Sequence, residues 1–156
     1  MFLNAHSWFS LRYGVLRPEE VLAQAQAAGV TCMALTDVHC TAGGPDFARL
    51  APKYGIRPVL GIDFRNGAKQ RFLGIARDHD GYEQLCNFLS ELMQANLAGK
   101  PLQIPNRAPA LEGVIWVYPW ARQSPMDPVA PSAFGHLGLM YHYFLFSCGV
   151  PKGLLH

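Results

Sequence analysis

The sequence predicts an α/β fold built from parallel βα units, and three observations carry the prediction. Short apolar runs without alternation, such as 30–36 and 58–64, are typical of strands that are covered on both faces. Segments with apolar residues three and four positions apart lie between such runs, and glycines or prolines separate the two kinds of segment. Strands that alternate with helices in this way indicate right-handed βαβ units, on an open sheet or in part of a barrel.

The helical segments are recognised by their ends. Residues 18–28, 46–54 and 82–97 are predicted to be helices. Pro18 stands where its missing N–H costs nothing, Glu19 and Glu20 favour the positive end of the helix dipole, and Gly29 ends the first helix. The third helix is expected to end near Gly99.

The strands and the boundaries follow from the remaining segments. Predicted strands are 30–36, 58–64, 70–76 and 114–118, after a first strand that ends in Asn4-Ala5-His6-Ser7. Asn66-Gly67 predicts a turn, and 101–109 is a proline-rich connector. Residues 121–156 form an apolar and proline-rich tail without a clear period. We therefore expect one domain over residues 1–120 and an off-pattern tail over 121–156.

Composition and charge restrict the class of protein. Half of the 156 residues are hydrophobic and 15% are charged, which is typical of a folded domain. The formal net charge of +2 is too small for a protein that grips a phosphate backbone alone, so DNA contact is expected to be indirect. The four cysteines lack a C-x-x-C pair, and neither a signal peptide nor an apolar stretch of ~20 residues is present. These features predict a cytoplasmic protein with reduced thiols and no membrane contact.

Polar side chains follow three of the predicted strands. In parallel α/β folds, functional groups gather at the carboxyl ends of the strands. Asn4 and His6 alternate at the end of the first strand, so they can reach one spot. Asp37 or His39 from the second strand and Asp63 from the third can join them there. The sequence therefore predicts a candidate site at this edge.

Four motifs carry a family resemblance. They are Asn-Ala-His-Ser-x-Phe-Ser-Leu-Arg-Tyr-Gly, Pro-Glu-Glu-Val, Ala-Leu-Thr-Asp and Arg-Pro-Val-Leu-Gly-Ile-Asp-Phe, in this order. With their spacing, residues 2–119 resemble the PHP (polymerase and histidinol phosphatase) domain that opens the alpha subunit of bacterial DNA polymerase III. The resemblance implies part of a distorted seven-stranded β/α barrel. It also implies that active relatives hold two or three metal ions, usually zinc or manganese, which hydrolyse phosphoesters.

The resemblance also implies where ligands are expected, and the first motifs depart from the family. The opening His-x-His is here Asn4-Ala5-His6, so an amide replaces the first ligand. Where Thr-Asp-His is expected, the chain has Val38 in place of the histidine, and His39 comes one position late. An offset of one residue turns a side chain to the other face of a strand, so His39 is not a simple replacement.

Three further ligand positions that the resemblance covers are also changed. The glutamate of Gly-x-Glu is here the shorter Asp63, Tyr13 stands where an acid or histidine is expected, and Arg71 stands near another histidine position. Only His6 and Asp63 match the family ligands in type, and two ligands do not complete a lasting zinc site. The resemblance therefore implies a dismantled metal site, which holds no metal or, if any, zinc or manganese.

Several polar side chains have simpler interpretations than catalysis. Asp37 is expected to cap a turn or a helix. His79 is expected to lie at the acidic N-terminus of a helix. Arg12, Arg65 and Arg71 are predicted to lie on a solvated surface rather than to bind phosphate. The alternating aromatic residues Trp116, Tyr118 and Trp120 are predicted to pack in the core.

The leading hypothesis from the sequence is a noncatalytic PHP domain, a structural module that supports a replicative polymerase. Its expected partners are the polymerase core of the parent protein and replisome subunits, and any nucleotidyl transfer belongs to the parent. The rival is a metal-dependent phosphoesterase or 3′–5′ exonuclease, in which His6 and Asp63, with Asp37 and His39 as catalytic candidates, retain one or two metals. A truncated remnant without independent function is the third possibility.

Overall fold

The computed structural model describes residues 1–96 and 102–119. Its strands are β1 (Phe2–Ala5), β2 (Cys32–Val38), β3 (Arg57–Asn66), β4 (Lys69–Ala76) and β5 (Val114–Val117). Its helices are α1 (Pro18–Ala27), α2 (Gly44–Leu50), the 3-10 helix Ala51–Tyr54 and α3 (His79–Ala95). The predicted tail 121–156 and the expected helix end near Gly99 lie outside the described residues.

The first helix forms as predicted, whereas the second is divided. In α1 the carboxylate of Glu20 accepts a hydrogen bond of 2.8 Å from the backbone N–H of Arg17, and Gly29 adopts a φ of 69° after the last turn. The predicted helix 46–54 is α2 followed by the 3-10 helix. Pro52 has no N–H to donate, so the α-helical pattern of hydrogen bonds does not continue through it.

The five strands lie side by side in chain order, which confirms the α/β class with parallel βα units in its first half. Strands β1, β2 and β3 are parallel. Strands β4 and β5 depart from the predicted parallel βα units, because both pair antiparallel. Only Gly67 and Ala68 separate β3 from β4, and a parallel crossover needs a dozen or more residues.

Helices cover one face of the sheet. Helices α1 and α2 bury Leu22 and Phe47 against Leu35 of β2. Helix α3 buries Leu85 against an aromatic cluster that contains Phe64, Phe72, Phe88, Trp116 and Tyr118. The core role predicted for Trp116 and Tyr118 is therefore confirmed, while Trp120 lies outside the described residues.

The opposite face of the sheet carries a smaller apolar cluster and, at the carboxyl ends of the parallel strands, the polar site. Ala34, Leu73 and Ile75 form this cluster. Because side chains alternate along a strand, Asp63 of β3 lies on the same face as Leu73, its partner in β4. No helix in the described part of the chain is long and apolar enough to cross a membrane.

The β3–β4 turn gives a first prediction. Gly67 has a φ of 58°, a conformation that is costly for a residue with a Cβ atom, although a methyl group at this position would meet no atom within 4 Å. We expect Gly67→Ala to lower the free energy of unfolding by about 1 kcal/mol through backbone strain alone. Urea denaturation measures it, and an unchanged midpoint would contradict the left-handed turn.

Candidate functional site

The site lies where β1, β2 and β3 end. His6 directly follows β1, Asp63 lies near the end of β3, and Arg65 is two residues further along the same strand. Alternation along β3 places Asp63 and Arg65 on the same face of the sheet. The predicted meeting of His6 and Asp63 is present, because Nε2 of His6 lies 3.0 Å from Oδ2 of Asp63.

Asp63 is a fully buried carboxylate whose two oxygens differ. Oδ2 accepts hydrogen bonds from Nε2 of His6 at 3.0 Å and from Nε of Arg65 at 2.7 Å, and Nη2 of Arg65 also lies 2.7 Å away. Oδ1 is buried without a hydrogen-bond partner among the described residues. The guanidinium therefore compensates the carboxylate charge from one side. Without this counter-ion, the buried carboxylate would lower the stability of the fold by roughly several kcal/mol.

Arg65 is held in place by an aromatic ring. Its guanidinium carbon lies 4.5 Å from the ring centroid of Tyr13, and its side chain is only 13% exposed. The hydroxyl of Tyr13 donates a hydrogen bond of 3.1 Å to the carbonyl oxygen of Gly67 in the β3–β4 turn. The predicted solvated surface position of Arg65 is therefore wrong, because Tyr13 covers the arginine and Asp63 binds it.

His39 lies beside the site but is oriented by the backbone. Its backbone N–H donates a hydrogen bond of 3.1 Å to the carbonyl oxygen of Asp63. Its ring nitrogen Nε2 accepts a hydrogen bond of 2.8 Å from the backbone N–H of Arg65. The residue adopts a φ of 47°, which is uncommon outside glycine. The lone pair of Nε2 is therefore engaged in joining the end of β2 to β3.

Asp37 does not join the cluster. It lies opposite Ile62 in β3, whereas Asp63 lies opposite Val38, so the two carboxylates point to opposite faces of the sheet. The Asp37 carboxylate is 2% exposed and accepts hydrogen bonds from the N–H and hydroxyl of Ser7 and from the hydroxyl of Ser10. It orders the loop between β1 and α1 and reaches no other candidate residue of the site.

The substituted positions have other partners. Asn4 uses its amide oxygen to accept a hydrogen bond of 3.1 Å from the hydroxyl of Thr36. Arg71 is partly buried, and its Nε has no hydrogen-bond partner among the described residues, so it too departs from the solvated surface predicted for it. Arg12 is exposed, as predicted. His79 is exposed, and Asp78 caps α3 by accepting from the N–H of Gly81 at 2.8 Å.

The donor set does not fit a metal ion of the kind that the resemblance implies. Within residues 1–96 and 102–119, no three His, Cys, Asp or Glu side chains come together as metal ligands. Nε2 of His6 points its proton at Asp63, and Oδ1 of Asp63 is the one oxygen of this carboxylate without a partner in that part of the chain. A guanidinium beside that carboxylate also repels a second cation.

Sequence reasoning missed Arg65, Ser7 and Ser10 as residues that shape this region. A signal for Arg65 is present in the sequence, since a residue two positions after Asp63 shares its face. The family pattern marks Tyr13 only as a substituted ligand, although its ring fixes the arginine. The two serines belong to the first motif, but their carboxylate partner lies on another strand.

His39 makes the stability of the protein depend on pH. Burial lowers the pKa of His39 below 6.5, although the nearby Asp63 carboxylate acts in the opposite direction. The unfolded chain therefore binds the proton more readily, so this contribution to stability is complete above pH 6.5 and is lost as pH falls through the lowered pKa. We expect His39→Asn to flatten the decline of the free energy of unfolding below neutral pH. Denaturation across this range tests it, and an unchanged slope would contradict the assignment.

Comparisons with known proteins match most of the chain. The family described as PHP domain matches residues 3–127. The error-prone DNA polymerase of Mycobacterium bovis is 34% identical over 107 residues, which cover 62% of this chain and 10% of that protein. The DNA polymerase III subunit alpha of Buchnera aphidicola is 28% identical over 98 residues, which cover 59% of this chain and 8% of that protein. The chain thus spans about a tenth of the length of these relatives.

Among solved structures, an amidohydrolase from Chromobacterium violaceum has a TM-score of 0.49 and 30% sequence identity. The match covers 61% of this chain and 34% of that protein.

Proposed function

This chain belongs to the PHP domain family, and we propose that it is a noncatalytic member, a structural module of a bacterial DNA polymerase of the DNA polymerase III alpha or error-prone type. In this role it supports DNA replication through contacts with the polymerase part of the parent protein. Nucleotidyl transfer belongs to that part. The proposed compartment is the cytoplasm.

The contact between Arg65 and Asp63 is the observation that carries the proposal. The resemblance places the bridging metal ligand at Asp63, and here a guanidinium binds the same oxygen that His6 reaches, at 2.7 Å. The fixed positive charge stands in for a metal ion in neutralising the buried carboxylate. It supplies no Lewis acid and no metal-bound water, which are what a metal contributes to phosphoester hydrolysis.

The chain thereby keeps the stability that a ligand–metal cluster gives a fold without keeping its chemistry. Asn4 and Val38 add no anionic or imidazole ligand, and the Asn4 amide is already bonded to Thr36. The proposed site is held together by hydrogen bonds and by one buried ion pair. We therefore propose that the protein uses neither zinc nor manganese as a cofactor.

Metal content and phosphoesterase activity test the proposal together. The purified chain is incubated with zinc or manganese, dialysed and measured by elemental analysis, and it is assayed with bis-p-nitrophenyl phosphate. We expect far less than one metal per chain and no hydrolysis above the rate of a heat-denatured control. Stoichiometric metal, with hydrolysis that a chelator and Asp63→Ala both abolish, would instead establish the phosphoesterase alternative.

A further inference from the structure

We propose that this chain binds single-stranded nucleic acid on a surface formed by residues 8–17 and 65–71, which we call the loop–hairpin surface. The first segment is the loop between β1 and α1, and the second contains the β3–β4 turn. The hydrogen bond from the Tyr13 hydroxyl to the carbonyl oxygen of Gly67 joins them. The inference goes beyond the proposed structural role and does not depend on the polymerase assignment.

Charge is concentrated on this surface. The two segments contain no Asp or Glu and five of the 13 Lys and Arg residues of the chain, which are Arg12, Arg17, Arg65, Lys69 and Arg71. Arg65 is neutralised by Asp63, and Arg17 lies 3.9 Å from Glu20. The sequence-based expectation of indirect DNA contact used the net charge of +2, which averages over the chain and hides this clustering.

Aromatic rings are exposed among these cations. Trp8 is 48% exposed, Phe9 37% and Tyr13 40%. The guanidinium of Arg17 lies 5.6 Å from the Trp8 ring, and Phe9 meets Trp8 edge-on. Rings on which bases stack, surrounded by cations that follow the backbone, are the usual means of binding single strands without sequence preference.

The loop is ordered before any ligand arrives. The N–H of Trp8 donates to the carbonyl oxygen of Leu16 at 2.8 Å, and the N–H of Gly14 donates to that of Ser10 at 2.9 Å. Arg12 adopts a φ of 73°, a costly conformation for arginine of the kind that gathers at binding sites. An ordered loop loses less conformational entropy when it binds, so its exposed rings contribute more to affinity.

A protein partner is the competing occupant, because Leu11 and Val15 on the same loop are 83% and 88% exposed. The two segments lack acidic side chains and expose Arg12 and Lys69, which favours a polyanion, since Lys and Arg clustered on one face are the electrostatic footprint of nucleic-acid binding. Lysine is also depleted at protein interfaces.

Fluorescence anisotropy with the full chain and a labelled oligothymidylate of about 16 nucleotides tests the proposal. We expect binding that weakens with salt, with a slope of log affinity against log salt near −2 if about three phosphates are neutralised. Lys69→Glu should weaken binding about tenfold and reduce the slope by about 1. Trp8→Ala should weaken binding about tenfold without changing the slope.

Lys53→Glu is the matched control, because Lys53 is exposed in the 3-10 helix that precedes the amino end of β3. It should change affinity less than twofold. No anisotropy change at low salt, equal losses in the two lysine variants, or equal affinity for a duplex would each overturn the proposal. Circular dichroism verifies that Trp8→Ala folds, and Arg12→Glu provides a second variant that leaves the ring contacts in place.

Discussion

Replacing Arg65 with methionine should destabilise the protein by about 3 to 5 kcal/mol, the cost of leaving a buried carboxylate without its partner. Asp63 is fully buried, and both contacting nitrogens of Arg65 lie 2.7 Å from its Oδ2. Methionine retains an apolar stem against Tyr13, so the loss reports the charge and the hydrogen bonds rather than packing. Chemical denaturation at neutral pH measures it.

Two further variants identify the cause of the Arg65 effect. Arg12→Met, at an exposed arginine, should change the free energy of unfolding by no more than about 0.5 kcal/mol. Asp63→Asn combined with Arg65→Met should recover much of the loss, since no charge is then left unpaired. If the single variant loses less than about 1 kcal/mol, or the double variant recovers nothing, the guanidinium is not the stabilising counter-ion of Asp63.

Local sequence signals are sufficient for α1 and β2. The start of α1 depends on Pro18 and on Glu20, which accepts a hydrogen bond from the N–H of the N-cap residue Arg17, so all of its signals lie within a few residues. The run that forms β2 lacks alternation because both of its faces are covered. Such features are determined by neighbours in the chain, and sequence patterns therefore predict them.

The environment of Arg65 depends on distant contacts, whereas the direction of β4 follows from a turn of two residues. Asn66-Gly67 predicts a turn, and a turn this short joins antiparallel strands, as β3 and β4 are. The prediction of parallel βα units followed the alternation of strands and helices elsewhere and did not use the length of this turn. The meeting of His6 and Asp63 follows from the rule that strand ends converge. Burial of Arg65 depends on Tyr13, which a loop of another part of the chain brings over it, and residue type alone favours exposure for arginine.

The face of the sheet to which the Asp37 side chain points could not be predicted from the sequence either. Its position after an apolar run places it at a strand end, where either a site or a cap is reasonable. One residue decides between the two faces of a strand, and the sheet register sets Asp37 opposite Ile62, away from Asp63. The Asp37 carboxylate accepts three hydrogen bonds from Ser7 and Ser10 and thereby fixes the loop between β1 and α1.

Asp37→Asn should therefore destabilise the protein by about 3 kcal/mol and loosen the loop between β1 and α1. The carboxylate accepts from the N–H and hydroxyl of Ser7 at 2.7 Å and from the hydroxyl of Ser10 at 2.6 Å. An asparagine of the same shape offers one acceptor oxygen, and its NH₂ group faces the Ser7 hydroxyl, which must then accept instead of donate. The three hydrogen bonds also lose the charge that makes them strong. Denaturation and amide hydrogen exchange over residues 7–14 measure the two effects.

Asp46→Asn is the control for Asp37→Asn, because Asp46 makes an exposed ion pair of 3.0 Å with Arg49 and its side chain is 61% exposed. We expect a change below about 1 kcal/mol there and no faster exchange in the loop. In Asp37→Asn, exchange should accelerate at Ser10 and Gly14, whose backbone groups close the loop. Loss of stability with unchanged exchange over 7–14 would mean that Asp37 supports β2 rather than the loop, and the order of the loop–hairpin surface would then need another cause.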